Sequence, residues 1–387
     1  MSQDPRMMAL AERALSHYVN KTTDQAEAPM VLPVSAYTDE QRYEQERQRI
    51  FGSLPLGLAL SIELPEPGCY KAMQVLETPL LLVRGEDGEV RCFLNICRHR
   101  GALLCAEGHA QRHTIACPYH AWTYNLQGDL VGRYAAETFG DIDVQQYSLA
   151  QLPCAERSGI IWVRLDGCAF DIDQWLGDFA AELESLQLDT WHLYAQRQLP
   201  GPGWKVTMDG YLEAYHHNML HGKTVGQMTV GNLMVLDTYG PHQRLTFGRK
   251  TLGELAHQPR ADWEPEVHVR LIHSCFPNLS ISGILGDFCL VSQIFPGPTA
   301  QSTVTTQSVL SARKPVSPEE IAAAEQFSEL VLQAVRDEDY PVGYGIQKGL
   351  ASSANSHFTF GRNEAAVQNY HRWVGRFMSN DQSFDVA

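Results

Sequence analysis

The sequence lacks any long hydrophobic run. Hydrophobic residues make up 44% of its 387 residues, yet the longest apolar runs, such as residues 80–83, are far shorter than the roughly 20 residues needed to span a bilayer. The first residues also lack the basic segment followed by an apolar one that is typical of a secretory signal. We therefore expect a cytoplasmic protein that does not bind membranes.

Basic residues are fewer than acidic ones: the chain has 30 Lys and Arg residues and 45 Asp and Glu residues, which gives a net charge of −15. Nucleic acids and anionic membranes attract cationic surfaces, so we expect neither as a partner. The nine cysteines are an odd number in a long chain. Free thiols or metal ligands are therefore favoured over a disulfide framework. The sequence also contains no Gly-x-Gly-x-x-Gly dinucleotide fingerprint.

The sequence pattern predicts short strands in the first half of the chain, followed by longer strands and helices in the second half. Residues 80–84 and 90–94 flank the turn Gly85-Glu-Asp-Gly88 and predict a hairpin. Farther on, the pattern predicts a helix across residues 208–221 and strands near 266–273, 279–285, 288–295 and 302–310. A capping box of Ser317 and Glu320 then predicts a helix start. Helices packed on an antiparallel sheet, an α+β class, are expected.

Two Cys–His pairs form a first constellation. Cys97-Arg-His99 is followed, after 17 residues, by Cys117-Pro-Tyr-His120. Thiolates and imidazoles at this spacing fit Zn²⁺ in a Cys₂His₂ site or a [2Fe–2S] cluster with two Cys on one iron and two His on the other. A zinc finger normally places both cysteines in one knuckle, whereas here each loop supplies one residue of each type. The pattern therefore favours the cluster.

A second constellation lies between Asp209 and His221. This 13-residue segment, with both end residues included, contains three histidines and two carboxylates: His216, His217, His221, Asp209 and Glu213. Imidazoles four or five residues apart on a helix can share one face. With a carboxylate from elsewhere they would complete a two-His-one-carboxylate triad for Fe(II). Taken alone, the adjacent histidines also fit a helix with one buried and one exposed imidazole.

The first constellation resembles the Rieske ferredoxin family, and the flanking sequences Asn95-Ile-Cys-Arg-His-Arg-Gly101 and Cys117-Pro-Tyr-His-Ala-Trp122 resemble Rieske oxygenases in particular. The resemblance implies that one [2Fe–2S] cluster is held by Cys97, His99, Cys117 and His120. Respiratory Rieske proteins carry an additional disulfide between these loops. The corresponding positions here are Ala102 and Tyr119, which favours the ferredoxin-like type.

The second constellation is similar to the Glu/Asp-x-x-His-x₄-His motif of the ring-hydroxylating oxygenases. The resemblance implies one mononuclear Fe(II) per chain, bound by His216, His221 and a downstream aspartate. The family spacing to Gln347 selects Asp339, with Asp337 as the competitor. Glu213 takes the place of the acidic residue that links the iron to the Rieske cluster of the neighbouring subunit.

The resemblance also implies the architecture. We expect a small all-β Rieske domain at residues 45–163 and a larger catalytic domain at 164–387, in which helices cover an antiparallel sheet of the helix-grip (START-like) type. Residues 1–44 would form a helical segment on the catalytic domain. A head-to-tail homotrimer would bring the Rieske domain of one chain to the catalytic domain of the next.

The implied activity is that of a terminal oxygenase, which uses O₂ to hydroxylate or oxidatively demethylate a small organic substrate, as in aromatic hydrocarbon catabolism. Electrons would come from an NAD(P)H-dependent flavin/iron–sulfur reductase, directly or through a ferredoxin. The scarcity of basic residues near the iron motif favours a largely apolar or aromatic substrate. Two alternatives stay open: a Rieske electron-transfer or sensor protein without turnover, and a zinc hydrolase with a second, structural zinc.

Overall fold

The computed structural model describes residues 4–285, 287–352 and 354–379 of the chain, with residues 283–285 described by backbone alone. Its contacts divide the chain into two units. One comprises residues 51–190, and the other comprises residues 1–50 with 191–387. The predicted domain ranges 1–44, 45–163 and 164–387 stay predictions. The units are described separately below.

The α-helices and strands follow one another along both units. The α-helices are α1 Pro5–Asn20, α2 Ser35–Thr38, α3 Glu40–Glu46, α4 Ile172–Leu176, α5 Phe179–Glu184, α6 Trp204–Tyr211, α7 His217–Leu220, α8 Pro265–His268, α9 Pro318–Leu332, α10 Tyr340–Ala351 and α11 Ala365–Met378. The strands are β1 Met30–Pro33, β2 Leu56–Leu60, β3 Cys69–Val75, β4 Thr78–Arg84, β5 Val90–Leu94, β6 Gly108–Gln111, β7 Ile115–Ala116, β8 Thr123–Tyr124, β9 Leu130–Gly132, β10 Gln151–Leu152, β11 Cys154–Arg157, β12 Ile160–Val163, β13 His192–Gly201, β14 Thr229–Tyr239, β15 His242–Arg249, β16 Val269–Cys275, β17 Leu279–Leu285, β18 Phe288–Pro296, β19 Thr303–Ser311 and β20 His357–Phe360.

The unit of residues 51–190 is built mainly from small antiparallel sheets. Their strand orders are β10-β5-β4-β3-β6, β11-β12-β2 and β7-β8-β9. The predicted hairpin is confirmed, because β4 and β5 pair antiparallel on either side of residues 85–88. One apolar core includes the thiols of Cys97 and Cys117 with the rings of Trp122 and Tyr124. Both cysteines therefore begin loops that rest on a packed core.

The other unit is organised around a seven-stranded antiparallel sheet in the order β13-β19-β18-β17-β16-β15-β14. The four predicted strands correspond to β16–β19. On one face, apolar residues of α1 pack against Leu233, Val235 and Val269 of the sheet. The expected α+β class with an antiparallel sheet covered by helices is confirmed.

Helix α9 begins where the capping box predicts. The hydroxyl of Ser317 accepts a hydrogen bond from the backbone N–H of Glu320 at 3.1 Å, and the Glu320 carboxylate accepts one from the N–H of Ser317 at 3.0 Å. Phe327 stacks on Phe288 of β18 with ring centroids 5.3 Å apart. The chain continues without a break through a π-helix, Gln333–Asp339, into α10. This packing directs the far end of α9 along the sheet.

No helix in the described part of the chain has the length and apolar character needed to cross a membrane.

Candidate metal centres

Two loops of the unit 51–190 have the same backbone shape. In each, a cysteine carbonyl accepts a hydrogen bond at 3.0 Å from the N–H four residues later, and the cysteine N–H donates at 2.8 Å to the carbonyl five residues later. The residue four positions after the cysteine is Gly101 in one loop and Ala121 in the other, with φ of 76° and 53°. Such left-handed backbone is easiest for glycine. The loops that start at Cys97 and Cys117 are thus tight and equivalent.

The four predicted cluster ligands meet between these loops. Cys97 and Cys117 are buried and their thiols are in hydrogen-bond contact. The His99 and His120 rings lie 4.8 Å apart. Within the described chain, Nδ1 of His99 is buried without a hydrogen-bond partner, and the ring stacks on Trp122 at 4.9 Å. Two thiols and an unsatisfied imidazole nitrogen in one buried place suit a metal cluster.

Burial raises the pKa of the Cys97 thiol. A thiolate there needs a strong positive partner, because the Tyr124 hydroxyl, 3.5 Å from the sulfur, and the backbone N–H of His99 are both neutral groups. A bound metal deprotonates a coordinating thiol outright. The burial that disfavours a free thiolate is therefore compatible with a metal-bound one. All nine cysteines lie in the described ranges and are free of disulfides.

In the second unit, the predicted single helix across residues 208–221 is wrong. Helix α6 ends at Tyr211, and only the four residues of α7 are helical after it. The carboxylate of Glu213 accepts hydrogen bonds from the backbone N–H groups of Tyr215 and His216. A carboxylate bonded to nearby backbone in this way competes with helical hydrogen bonds. The interruption leaves His216 just before α7 and His221 just after it.

Three predicted ligand atoms converge at this interruption. Nε2 of His216 and Nε2 of His221 lie 3.1 Å apart. Oδ1 of Asp339 is 3.1 Å from Nε2 of His221 and 3.6 Å from that of His216. One ligand atom from each of the three residues lies within 4.8 Å of the other two. His216 and Asp339 keep 21% and 26% of their side chains exposed, so the cluster has an open side.

Both imidazoles are held from behind by carboxylates. Nδ1 of His216 contacts Oε1 of Glu213, and Nδ1 of His221 lies 2.6 Å from Oε2 of Glu338. If each Nδ1 carries the proton and donates it to its carboxylate, each Nε2 presents a lone pair to the other and to Asp339. Three acceptors that face one another without a donor need a cation between them. The set therefore fits a divalent metal with two histidines and one carboxylate.

The charge balance at His221 points the same way. Burial would lower the pKa of its imidazole, but hydrogen bonding to Asp339, the charge of Asp339 and the contact with Glu338 outweigh burial and raise it. The surroundings of this ring therefore favour positive charge. A metal ion satisfies the same demand as a proton.

The π-helix explains how consecutive residues reach both edges of one ring. Glu338 contacts Nδ1 of His221, and Asp339 contacts Nε2 of the same imidazole. Both residues lie in the π-helix Gln333–Asp339, a type of turn that is frequent at functional sites. Asp337 instead pairs with Arg336 through two contacts of 2.6 Å and is exposed. The geometry gathers Asp339, not its competitor.

Two other polar residues of the motif, Asp209 and His217, lie outside the three-residue set. Asp209 accepts hydrogen bonds from the Tyr37 hydroxyl at 2.6 Å and from His371 at 2.7 Å, which joins α6 to α2 and α11. The ring of His217 lies 5.5 Å from that of Phe247 on β15. It is not part of the three-residue metal set.

Both centres lie in stretches of the chain that match models of known families. The model of the family described as "Rieske [2Fe-2S] domain" matches residues 56–148, and the model described as "Ring hydroxylating alpha subunit (catalytic domain)" matches residues 188–380. Together they match about three quarters of the chain. The chain belongs to the Rieske non-haem iron oxygenase family. Chains of this family bind a Rieske [2Fe–2S] cluster and a mononuclear iron, and the donor sets described above fit both.

Curated relatives of this Rieske oxygenase-family chain include two kinds of monooxygenase subunit. The glycine betaine monooxygenase oxygenase subunit of Pseudomonas aeruginosa (strain UCBPP-PA14) is 31% identical over 192 residues, which cover 49% of this chain and 44% of the relative. The chain thus matches under half of that relative's length. The carnitine monooxygenase oxygenase subunit of Escherichia coli (strain K12) is 26% identical over 326 residues, 83% of this chain and 84% of the relative.

Solved structures show the same fold. A quaternary ammonium Rieske monooxygenase in complex with L-carnitine superimposes with a TM-score of 0.78 at 22% identity, covering 90% of this chain and 96% of that chain. Naphthalene 1,2-dioxygenase from Rhodococcus sp. gives a TM-score of 0.74 at 20% identity, with 98% and 99% covered. The fold is therefore shared by enzymes of this family with different substrates.

Sequence reasoning missed Glu338, because the acidic run Asp337-Glu-Asp339 gives no sign of which carboxylates turn inwards. We expect Glu338→Ala to lower the affinity of the mononuclear site for Fe(II) about 10- to 100-fold, the usual cost of losing an outer-shell partner. Glu338→Gln should cost less, because an amide oxygen still accepts from Nδ1–H. Titration of iron-depleted protein with Fe(II) measures both effects.

Asp337→Ala is the matched control for this prediction, since it removes the neighbouring carboxylate but only an exposed ion pair. Equal iron affinity in the Glu338→Ala variant and in the unmodified protein would contradict the role assigned to Glu338.

Proposed function

We propose that the chain is the terminal oxygenase component of a Rieske system, which uses O₂ and externally supplied electrons to hydroxylate or oxidatively demethylate a small organic substrate. The observation that carries the proposal is the convergence of His216, His221 and Asp339 within 4.8 Å with one open side. A Rieske electron carrier has no use for such a site. A metal with free coordination positions is what O₂ chemistry requires.

The geometry supports an assignment of the residues that would hold the two groups. We assign Cys97, His99, Cys117 and His120 to the [2Fe–2S] cluster, and His216, His221 and Asp339 to the mononuclear Fe(II). When bound, the cluster supplies electrons one at a time and the iron supplies O₂ activation. Glu213 and Glu338 fix the tautomers of the two histidines through their Nδ1 atoms.

Electrons would reach the cluster from an NAD(P)H-dependent flavin/iron–sulfur reductase, directly or through a ferredoxin. Support comes from the surface of the two cluster loops, where Arg98, Arg100 and Tyr119 are exposed and the two imidazoles are only half-buried. An electron donor can therefore approach the imidazole side while the thiols remain in the core.

Within the assembly, we assign Glu213 as the carboxylate that links the iron site to the cluster of a neighbouring subunit in a head-to-tail homotrimer. Inter-subunit electron transfer is described for a quaternary ammonium Rieske monooxygenase with the same fold. A heterologous contact of this kind closes into a ring under three-fold symmetry.

The substrate class stays open at the level of the family. The relatives include glycine betaine and carnitine monooxygenase subunits and the large oxygenase component of a salicylate 5-hydroxylase. Salicylate is aromatic, as the sequence led us to expect of the substrate, whereas glycine betaine and carnitine are not.

Metal and acid-labile sulfide analysis of anaerobically purified protein, with EPR spectroscopy after dithionite reduction, tests the proposal. We expect about three irons and two sulfides per chain and a Rieske-type signal, followed by substrate-dependent O₂ uptake with a surrogate reductase. About two irons, with no uptake of added Fe(II), would support a carrier instead. Zinc without sulfide would contradict both assignments.

A further inference from the structure

Arg270 on β16 is a buried cation without a counter-charge. The residue is 9% exposed, and no carboxylate in the described part of the chain forms an ion pair with it. Among the described residues its Nε atom is buried without an acceptor, and its Nη2 atom lies 3.8 Å from the thioether sulfur of Met228. A thioether is a weak acceptor. The guanidinium is thus largely unsatisfied by the protein.

A second arginine increases the excess of positive charge. Arg249 at the end of β15 donates from Nη1 to the carbonyl of Val267 at 3.1 Å, while its Nε is also buried without an acceptor among the described residues. Burial, together with the charge of Arg249, lowers the pKa of Arg270 to about 9. The two side chains are therefore close enough to repel each other.

Sheet register places Arg270 on the face that bears the iron motif. Val269 and Leu271, its neighbours along β16, pack into the apolar cluster under α1, and successive side chains of a strand point to opposite faces. Arg270 is directly opposite Phe247 of β15 in the register, so both side chains share the other face.

Contacts connect this face to the mononuclear site. The Phe247 ring lies 5.5 Å from the His217 ring, which in turn lies 4.9 Å from the ring of His216. Nδ1 of His217 is itself buried with no partner in the described residues. Met228, which contacts Arg270, follows the second iron ligand by seven residues in the chain. The unsatisfied guanidinium and the unsatisfied imidazole nitrogen therefore border the same region beside the metal ligands.

A buried, uncompensated charge is costly, and native proteins pair such groups. Two arginines without carboxylate partners among the described residues, on the sheet face that contacts the iron motif through Phe247 and His217, indicate that the missing anion arrives with the substrate. The planar guanidinium of arginine matches a carboxylate with two parallel hydrogen bonds. Nη1 of Arg249 already donates to a backbone carbonyl, so Arg270 would be the main partner of such a carboxylate. A single negative charge is enough to compensate the buried guanidinium of Arg270.

We propose that Arg270, assisted by Arg249, binds a carboxylate of the organic substrate and so orients the rest of that molecule towards the mononuclear centre. This inference rests on the proposed function and deepens it, since it names the substrate class as small carboxylates, zwitterions included. It replaces the expectation of a largely apolar substrate, which was based on the scarcity of basic residues near the iron motif. Arg270 and Arg249 follow His221 by 49 and 28 residues, so only the assembled sheet brings them to the site.

Binding measured without turnover tests the proposal. Calorimetric titration of the anaerobic, iron-loaded protein, with no reductase present, compares glycine betaine with choline and salicylate with salicylamide, pairs that differ in the carboxylate. Inorganic phosphate serves as a non-carboxylate anion. We expect at least one carboxylate to bind at least about tenfold more tightly than its counterpart and than phosphate. Arg270→Gln should weaken that binding about 10- to 100-fold, the range for hydrogen bonds to charged groups.

Arg313→Gln, at an exposed position, is the matched control and should bind like the unmodified protein. Arg270→Met provides a second readout. A structural arginine would lower the melting temperature when removed, whereas an unpaired guanidinium that waits for an anion should leave it unchanged or raise it, because the cost of burying the charge disappears.

Equal binding within both pairs, tighter binding of phosphate, or retained discrimination in Arg270→Gln would each overturn the inference. Failure of the proposed function looks different. Carboxylate binding that depends on Arg270 without any O₂ uptake would contradict the oxygenase and leave the anion site standing. Oxygenation of an uncharged substrate, unaffected by Arg270→Gln, would do the opposite.

Discussion

Replacing Asp339 with alanine should reduce the iron content from about three to about two per chain while about two sulfides remain, and turnover should fall at least about 100-fold. The reason is that Oδ1 of Asp339 supplies the only negative charge among the three converging ligand atoms. Loss of an outer-shell partner alone costs 10- to 100-fold, so loss of a ligand should cost more. Iron and sulfide analysis with a steady-state assay measures both changes.

Asp337→Ala is the control, because it removes a carboxylate from the same acidic run. Asp337 is exposed and forms an ion pair with Arg336 at 2.6 Å, and surface pairs of this kind contribute little to stability. We expect three irons and unchanged turnover in this variant. Iron loss in Asp337→Ala, with iron retained in Asp339→Ala, would reverse the assignment of the third ligand.

The parts of the fold that follow from local pattern could be predicted from the sequence. The local sequence pattern predicted β16–β19, and the capping box of Ser317 and Glu320 predicted the start of α9, because both depend on residues within a few positions. Apolar residues follow that start at helical spacing, but Ala324 and Val331 are buried whereas Ile321 is 46% exposed. Helical periodicity predicts which residues of α9 form an apolar stripe, but it does not predict where the helix stops packing on the sheet.

The site was predictable wherever a motif fixes spacing. The residues of the two Cys–His pairs lie close together, as do His216, His221 and Asp339, and their roles as ligands stay a prediction. The backbone that carries them was not predictable, since a spacing of five residues between histidines fits a helix as well as a turn. Side-chain hydrogen bonds of Glu213 to the backbone of residues 215 and 216 accompany the interruption, and sequence periodicity does not register such bonds.

Sequence reasoning missed residues that lie far along the chain from the histidine motif, for a different reason. Glu338 reaches His221 across 117 positions because a π-helix reorients it, and a 3.6-residue period does not predict π-helices. Arg270 belongs to the site only through its register opposite Phe247. Register is a property of the assembled sheet, set by the pairing of β15 with β16.

Replacing Glu213 with alanine should stop electrons from reaching the mononuclear site even when excess Fe(II) keeps that site occupied and the cluster persists. Glu213 contacts Nδ1 of His216 with one carboxylate oxygen and two backbone N–H groups with the other, and it keeps 13% of its side chain exposed. A partly accessible carboxyl group in contact with a proposed iron ligand suits the proposed link to a neighbouring subunit's cluster. In single-turnover experiments with saturating Fe(II), substrate and O₂, we expect reoxidation of the reduced cluster to slow at least about 100-fold, the upper range for an outer-shell partner.

Glu338→Ala distinguishes this link from simple support of a histidine. Both glutamates hold the Nδ1 atom of an iron ligand, but only Glu213 is assigned to the path between subunits. If Glu213 is the link, the cluster of Glu213→Ala stays reduced, as followed by its EPR signal, while Glu338→Ala supplied with excess Fe(II) reoxidises at close to the original rate. Equal slowing in the two variants would mean that Glu213 only positions His216, and that electrons reach the iron by a route that does not include this carboxylate.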